Sequence, residues 1–165
     1  QAGVDTSSIT KDCTFTVDPY SYEITVDGVD EETKMRMQNA LNVGDNGKNL
    51  YKHIYYCSTQ DGCESTQITK ESKMKYEAYH QVYSYTGYEL DKLEEKNGTY
   101  YTESGEDILD LVNHAVEDTG KVPKEYKQQM KNWIHDLVST MSVKGWNNVS
   151  DMTLSILYGK GGLRI

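Results

Sequence analysis

The sequence predicts an α+β fold: an antiparallel sheet with two or three helices packed on one face, an α/β sandwich. Three observations lead there. Short alternating segments are separated by turn signals, as in hairpins. The stretch Ser104 to Lys144 carries two apolar stripes at helical spacing. Helices and strands fall in separate blocks and not in β-α-β order. The 165 residues fit one domain with a real core, and 1–10 and 159–165 read as flexible ends.

Cys13 to Val17 alternates as a strand. Asp18-Pro19-Tyr20-Ser21 is a turn with proline at a favoured position. Tyr22 to Val26 alternates again, so the two strands read as a hairpin ended by Asp27-Gly28. Asp30 caps a helix that runs to Val43, with Glu31 and Glu32 in its first turn. Thr33, Met37, Ala40 and Leu41 form its inward face. Gly44 to Asn49 is loop by composition. Leu50 to Cys57 reads as a strand with Tyr51, His53, Tyr55 and Cys57 on one face. Gln60-Asp61-Gly62 turns the chain, and Glu64 to Thr69 reads as a short strand. Met74 to Thr86 is rich in tyrosine and alternates, which predicts a strand with one wet face carrying Tyr79, Tyr83 and Tyr85. Its first half also suits a helix. Asn97-Gly98 is the strongest hairpin signal in the chain, with Thr99 to Thr102 as the return strand.

The helix pair follows. Ser104 reads as the cap of the first helix, with Glu106 and Asp107 placed to suit the dipole. Ile108, Leu111, Val112, Ala115 and Val116 form its stripe, and Gly120 stops it. Pro123 suits the first position of the second helix, where its missing donor costs nothing. Tyr126, Met130, Trp133, Ile134, Leu137, Val138 and Met141 form the second stripe, and Gly145 ends it. Met152 to Tyr158 is a last strand or short helix.

Net charge is −9, and Arg36 and Arg164 are the only arginines. An acidic surface without a basic patch repels phosphate backbones, so nucleic acid is excluded as a general partner. No apolar run reaches the length of a membrane span, and no charged start precedes an apolar stretch as in a signal peptide. The polar faces of the helices mix acids with lysines, unlike a cationic membrane-surface helix, so a membrane partner is not predicted. Gln1 is a poor initiator and implies a processed start.

Three features point to secretion. Cys13, Cys57 and Cys63 supply one disulfide in several pairings, with one cysteine left for a second chain. Asn97-Gly98-Thr99 and Asn148-Val149-Ser150 are N-glycosylation triplets. Fourteen tyrosines stand against one phenylalanine and two tryptophans, a bias that suits wet binding surfaces.

Motifs for chemistry are sparse. His53, His80, His114 and His135 are widely spaced, and no zinc, calcium or phosphate-loop pattern is present, so no metal or cofactor is expected. His53 and Cys57 lie four apart. Cys63 next to Glu64 is a poor nucleophile, because acidic neighbours raise a thiol pKa. No catalytic residue is assigned. The binding candidates are Tyr55, Tyr79, Tyr83 and Tyr85.

Asn97-Gly98-Thr99-Tyr100-Tyr101-Thr102 and Tyr83-Ser84-Tyr85-Thr86-Gly87-Tyr88 resemble segments of secreted yeast killer toxins. The composition, heavy in Lys, Asn and Tyr and poor in Arg, is similar as well. Those toxins are cut from precursors at dibasic sites, and this chain has no adjacent basic pair. The resemblance implies an antiparallel sandwich, in some members a disulfide to a second chain, and a toxin that binds a surface component of a competing microbe. It carries over no functional residue.

The expected function is therefore a secreted, non-enzymatic toxin or effector. Its partner would be a cell-surface receptor or wall polysaccharide, with a second chain through the odd cysteine. The alternatives are a small secreted hydrolase, nuclease-like, built on His53 or His80, and a structural or adhesion subunit of an assembly.

Overall fold

The computed structural model describes residues 12–58, 67–159 and 162–164. The fold is α+β with antiparallel sheets. Its described residues form two compact units, one drawn from Gln1–Thr69 with Met152–Ile165, the other Lys70–Asp151. In sequence the second interrupts the first.

The first unit holds strands β1 (Cys13–Val17) and β2 (Ile24–Asp27), helices α1 (Glu31–Leu41) and α2 (Asn46–Ser58), and strands β5 (Leu154–Gly159) and β6 (Gly162–Arg164). The sheet order is β2-β1-β5-β6, antiparallel throughout. Register places Val17 beside Ile24 and Leu154, and Phe15 beside Val26 and Ile156. These residues share one face, and all but the half-buried Phe15 are buried, while Thr25, Asp27 and Ser155 are exposed on the other. The wet face of the sheet is thus threonine and serine, not tyrosine. Gly162–Arg164, within the segment read as a flexible tail, is strand β6; residues 1–10 lie outside the described ones.

Amide side chains close the sheet edges. Asn42 accepts from Ile24 N at 2.8 Å and donates to Ile24 O at 2.9 Å, and Gln38 accepts from Val26 N at 3.0 Å. Both extend from α1 and its end. Gln67 does the same for Ser155, on the part of β5 that β6 does not pair, accepting at 2.7 Å and donating at 2.9 Å. Each satisfies strand groups that would otherwise template pairing with another chain.

The Asp18 turn and the α1 cap match the sequence reading. The Asp18 carboxylate accepts from Tyr20 N and Ser21 N. Asp30 accepts from Thr33 N at 3.0 Å, a bond that holds its carboxyl below the usual range. Leu50 to Cys57 is a correction. It belongs to helix α2, whose buried side carries Gly47, Tyr51 and Ile54 at helical spacing. Tyr51 is fully buried and its hydroxyl donates to Met152 O at 2.6 Å. Glu64 to Thr66 lie outside the described residues, and Gln67 to Thr69 are not strand.

The second unit holds α3 (Lys70–Thr86), the hairpin β3 (Glu94–Lys96) and β4 (Thr99–Tyr101), α4 (Ile108–Asp118) and α5 (Lys127–Lys144). The three helices pack on one another, and α4 and α5 also pack on β4. Ile108, Val112 and Val116 of α4 are buried, as are Ile134, Leu137, Val138 and Met141 of α5. Tyr126 and Trp133, placed on the second stripe by sequence, are exposed. The cap of α4 is Asp107, not Ser104: it accepts from Leu109 N at 2.8 Å and from Thr99 Oγ1 at 3.0 Å. Pro123 precedes a 3-10 turn, and α5 starts at Lys127. Asn97 and Gly98, at φ 54° and 82°, make the expected primed hairpin turn. No helix among the described residues is long and apolar enough to cross a membrane.

Tyr100 of β4 is 2 % exposed, and its hydroxyl has no hydrogen-bond partner among the described residues. Burial, aided by the Glu95 carboxylate across the hairpin, pushes its pKa up to about 12. An unfolded tyrosine titrates near 10. Between those values the folded chain holds a proton that the unfolded chain has released, so stability falls as pH rises, by about 2–3 kcal/mol across the window. Tyr100→Phe is expected to abolish that alkaline loss. It should leave stability at neutral pH equal or higher, since an unsatisfied buried hydroxyl is removed. Urea unfolding at about pH 7 and about pH 11, where roughly half of that loss has accrued, measures both; an unchanged alkaline loss in the variant would refute the assignment.

Candidate functional site

Met74 to Thr86 is helical, which corrects the strand reading and redistributes the tyrosines. Helix α3 puts Tyr76, Tyr79, His80 and Tyr83 on one side as a ladder. His80 lies 4.3 Å from Tyr76 and 5.2 Å from Tyr79, ring centre to ring centre. Tyr79 and Tyr83 stack with planes 8° apart and centres 6.2 Å apart, and Trp146 leans on Tyr79 at 6.4 Å. Tyr79 is buried, so of this pair only Tyr83, 49 % exposed, offers a ring to solvent.

The end of α3 builds a groove beside that ring. Gly87, at φ 76°, closes the helix through its N–H to Tyr83 O at 2.9 Å, a conformation that a Cβ disfavours. The chain then turns to present Tyr88, 39 % exposed, while Leu90 is buried and holds the following 3-10 turn. Opposite lies the Thr102–Gly105 turn, fixed by Gly105 N to Thr102 O at 2.9 Å and by Thr102 Oγ1, which accepts from Glu106 N at 3.1 Å. Between them is an open groove of about 710 Å³ lined by Tyr83, Gly87, Tyr88, Glu89, Lys92, Leu93, Thr102, Glu103 and Ser104. Glu89 pairs with Lys92 and holds its ammonium above the usual range. Glu103 is exposed at the rim.

Of the four tyrosines singled out in the sequence, only Tyr83 lines this groove. Tyr79 sits beneath it as a support. Tyr85 lies about 200° round the helix from Tyr83, because α-helical residues advance about 100° each. Burial raises its hydroxyl pKa. Tyr55 belongs to α2 in the first unit, its ring edge-on to Tyr56 at 5.5 Å. The groove's second exposed ring, Tyr88, was missed. The signal for it was Gly87, a helix stop that re-aims the next side chain.

The histidines also take definite places. His80 is part of the ladder, and His135 lies 3.0 Å from Asn113 Oδ1 between α5 and α4. His114 is exposed, and His53 sits 3.8 Å from Cys57 on α2. No group of three or more His, Cys, Asp or Glu among the described residues is arranged to hold a metal ion.

A family model described as "Domain of unknown function (DUF4885)" matches residues 5–165. The "Uncharacterized protein YbdO" of Bacillus subtilis (strain 168) is 33 % identical over 152 residues, 92 % of this chain and 38 % of that protein. The chain thus spans less than half the length of that relative. No solved structure matches.

A Bacillus relative and the family match overturn the reading as a secreted fungal toxin or effector. The segments behind it have structural explanations: Tyr83 to Tyr88 is a helix end, and Asn97 to Thr102 a packed hairpin. The disulfide reading falls as well, since Cys13 and Cys57 are both free thiols, one buried and one exposed. Cys63 lies outside the described residues. The glycoprotein reading goes with them. Asn97 occupies a left-handed turn position, and Asn148 Nδ2 donates to Lys144 O at 2.9 Å, capping the end of α5.

Proposed function

The chain belongs to the DUF4885 family, and on that footing we propose that it is a non-catalytic recognition domain that binds a polysaccharide. The observation that carries this is the groove itself. Two exposed tyrosine rings, Tyr83 and Tyr88, share an open groove with the exposed Glu103 carboxylate and the exposed Ser104. Flat ring faces suit the C–H faces of sugars, and carboxylate and hydroxyl groups suit their hydroxyls. An open groove leaves room for a polymer laid along it, where a closed pocket would select a small molecule. The one cation of the lining, Lys92, is paired with Glu89, and the whole chain carries −9, so anionic polymers are disfavoured.

Binding is expected to soluble glucan or chitin oligomers in titration calorimetry. Tyr83→Ala and Tyr88→Ala should each weaken it about tenfold, the usual loss for a truncated aromatic contact of about 1–2 kcal/mol. Tyr55→Ala, in the other unit, should change nothing. Binding that survives both groove substitutions would remove the site, and no binding to any neutral or amino-bearing glycan would remove the ligand class.

A further inference from the structure

We propose that His53 and Cys57 form a two-ligand clamp for Zn²⁺ on the outer side of α2. Both side chains are exposed and one helical turn apart, so they share a face. Cys57 Sγ lies 3.8 Å from His53 Nε2. Tetrahedral zinc, with Zn–S about 2.3 Å and Zn–N about 2.0–2.1 Å, sets its two donors about 3.5–3.6 Å apart. The pair therefore already stands near the bite that zinc needs, within reach of a small side-chain rotation.

The donor chemistry selects the metal. Thiolate and neutral imidazole favour zinc over the hard oxygen-seeking cations. The helix supplies rigidity, because Tyr51 and Ile54, on another side of α2, are buried. Two ligands at i and i+4 on one helix are also the arrangement by which paired histidines seize zinc in helical metal motifs. No other described side chains repeat this: Cys13 is buried, with its thiol pKa pushed up by burial, and His135 is engaged by Asn113. On binding, the Cys57 thiol gives its proton to solvent, Zn–S and Zn–N bonds form, and the aqueous ion sheds waters until two are left to complete the tetrahedron. The remaining positions keep water.

The test is residue-resolved alkylation. The whole chain is treated with iodoacetamide in Zn²⁺ or in EDTA, and modification at Cys57 is followed by peptide mass spectrometry, which separates it from Cys13 and Cys63. In the native chain Zn²⁺ should slow alkylation of Cys57 about tenfold or more, since a metal-held thiolate is no longer a free nucleophile, and in His53→Ala by less than about twofold. Co²⁺ added to the native chain should give thiolate-to-metal charge-transfer absorption that Cys57→Ser lacks. His53 is exposed, so circular dichroism of the variant should match the native chain. Absence of zinc protection in the native chain, or protection that persists in His53→Ala, overturns the clamp.

Discussion

Lys75→Ala is expected to destabilise the second unit by about 2–4 kcal/mol, the range for breaking a buried charged hydrogen-bond network. Lys75 is 4 % exposed, a rare place for an ammonium. Its Nζ donates to Val149 O at 2.7 Å, pairs with Asp151 at 2.8 Å and lies 4.7 Å from the centre of the Trp146 ring. One side chain from α3 thereby ties down the segment after α5. Truncation leaves the Val149 carbonyl without this donor and empties the volume of a long side chain. The Asp151 side chain is 46 % exposed and can be rehydrated, so Asp151→Asn should cost less than about 1 kcal/mol. Lys75→Met restores packing but no donor, and should fall between the two. Thermal unfolding reads the series: for a chain of this size the Lys75→Ala loss corresponds to a drop of about 5–15 °C. A melting point within about a degree of the native one would show that water replaces the ammonium without penalty.

Gly47→Ala should destabilise the first unit by about 2–5 kcal/mol, the range for overpacking against fixed backbone. The sign is the informative part. Gly47 is in the first turn of α2, where alanine is the better helix former by up to about 1 kcal/mol, so propensity alone predicts a gain. A Cβ at Gly47, however, would lie 2.0 Å from the Tyr22 carbonyl oxygen. That oxygen has little room to retreat. Tyr22 is at φ 61° in the turn closed by Tyr22 N to Asp18 O and Asp18 N to Glu23 O, both 3.0 Å. Gly120, with nothing within 4 Å of its virtual Cβ, is the control and should accept alanine with little change. Urea midpoints of the two variants decide the matter; a stabilised Gly47→Ala would mean that α2 does not approach the Tyr22 turn this closely.

Local signals were legible where local physics decides. The β1 and β2 strands, the Asp30 cap and the Asn97-Gly98 turn each depend on a few adjacent residues, and all are in the structure. So are the stripes of α4 and most of α5, because a helix with one apolar side has few other ways to bury it. The groove was half legible. Tyr83 was identified for its ring, but its neighbour Tyr88 and its support Tyr79 depend on where α3 ends and how its rings stack.

The two misread helices have one cause. In α2 and α3, tyrosine's strand preference and an accidental alternation outweighed a helical period that was present but disguised. Tyr76, Tyr79, His80 and Tyr83 recur at helical spacing, yet Lys75 sits among them as a buried residue that any hydropathy pattern counts as exposed. Its burial is stable only because Val149, Trp146 and Asp151, about seventy positions away or more, supply acceptor, ring and counter-charge. The sheet edges tell the same story through Gln38, Asn42 and Gln67, polar by composition and strand surrogates by position. Backbone preference and nearest neighbours along the chain were enough to dictate the α+β class, most of the turns and caps, and the helix pair. Which polar side chains are buried and which tyrosines reach solvent was left to three-dimensional packing, because desolvation is tolerated only where a distant partner is brought within hydrogen-bond range.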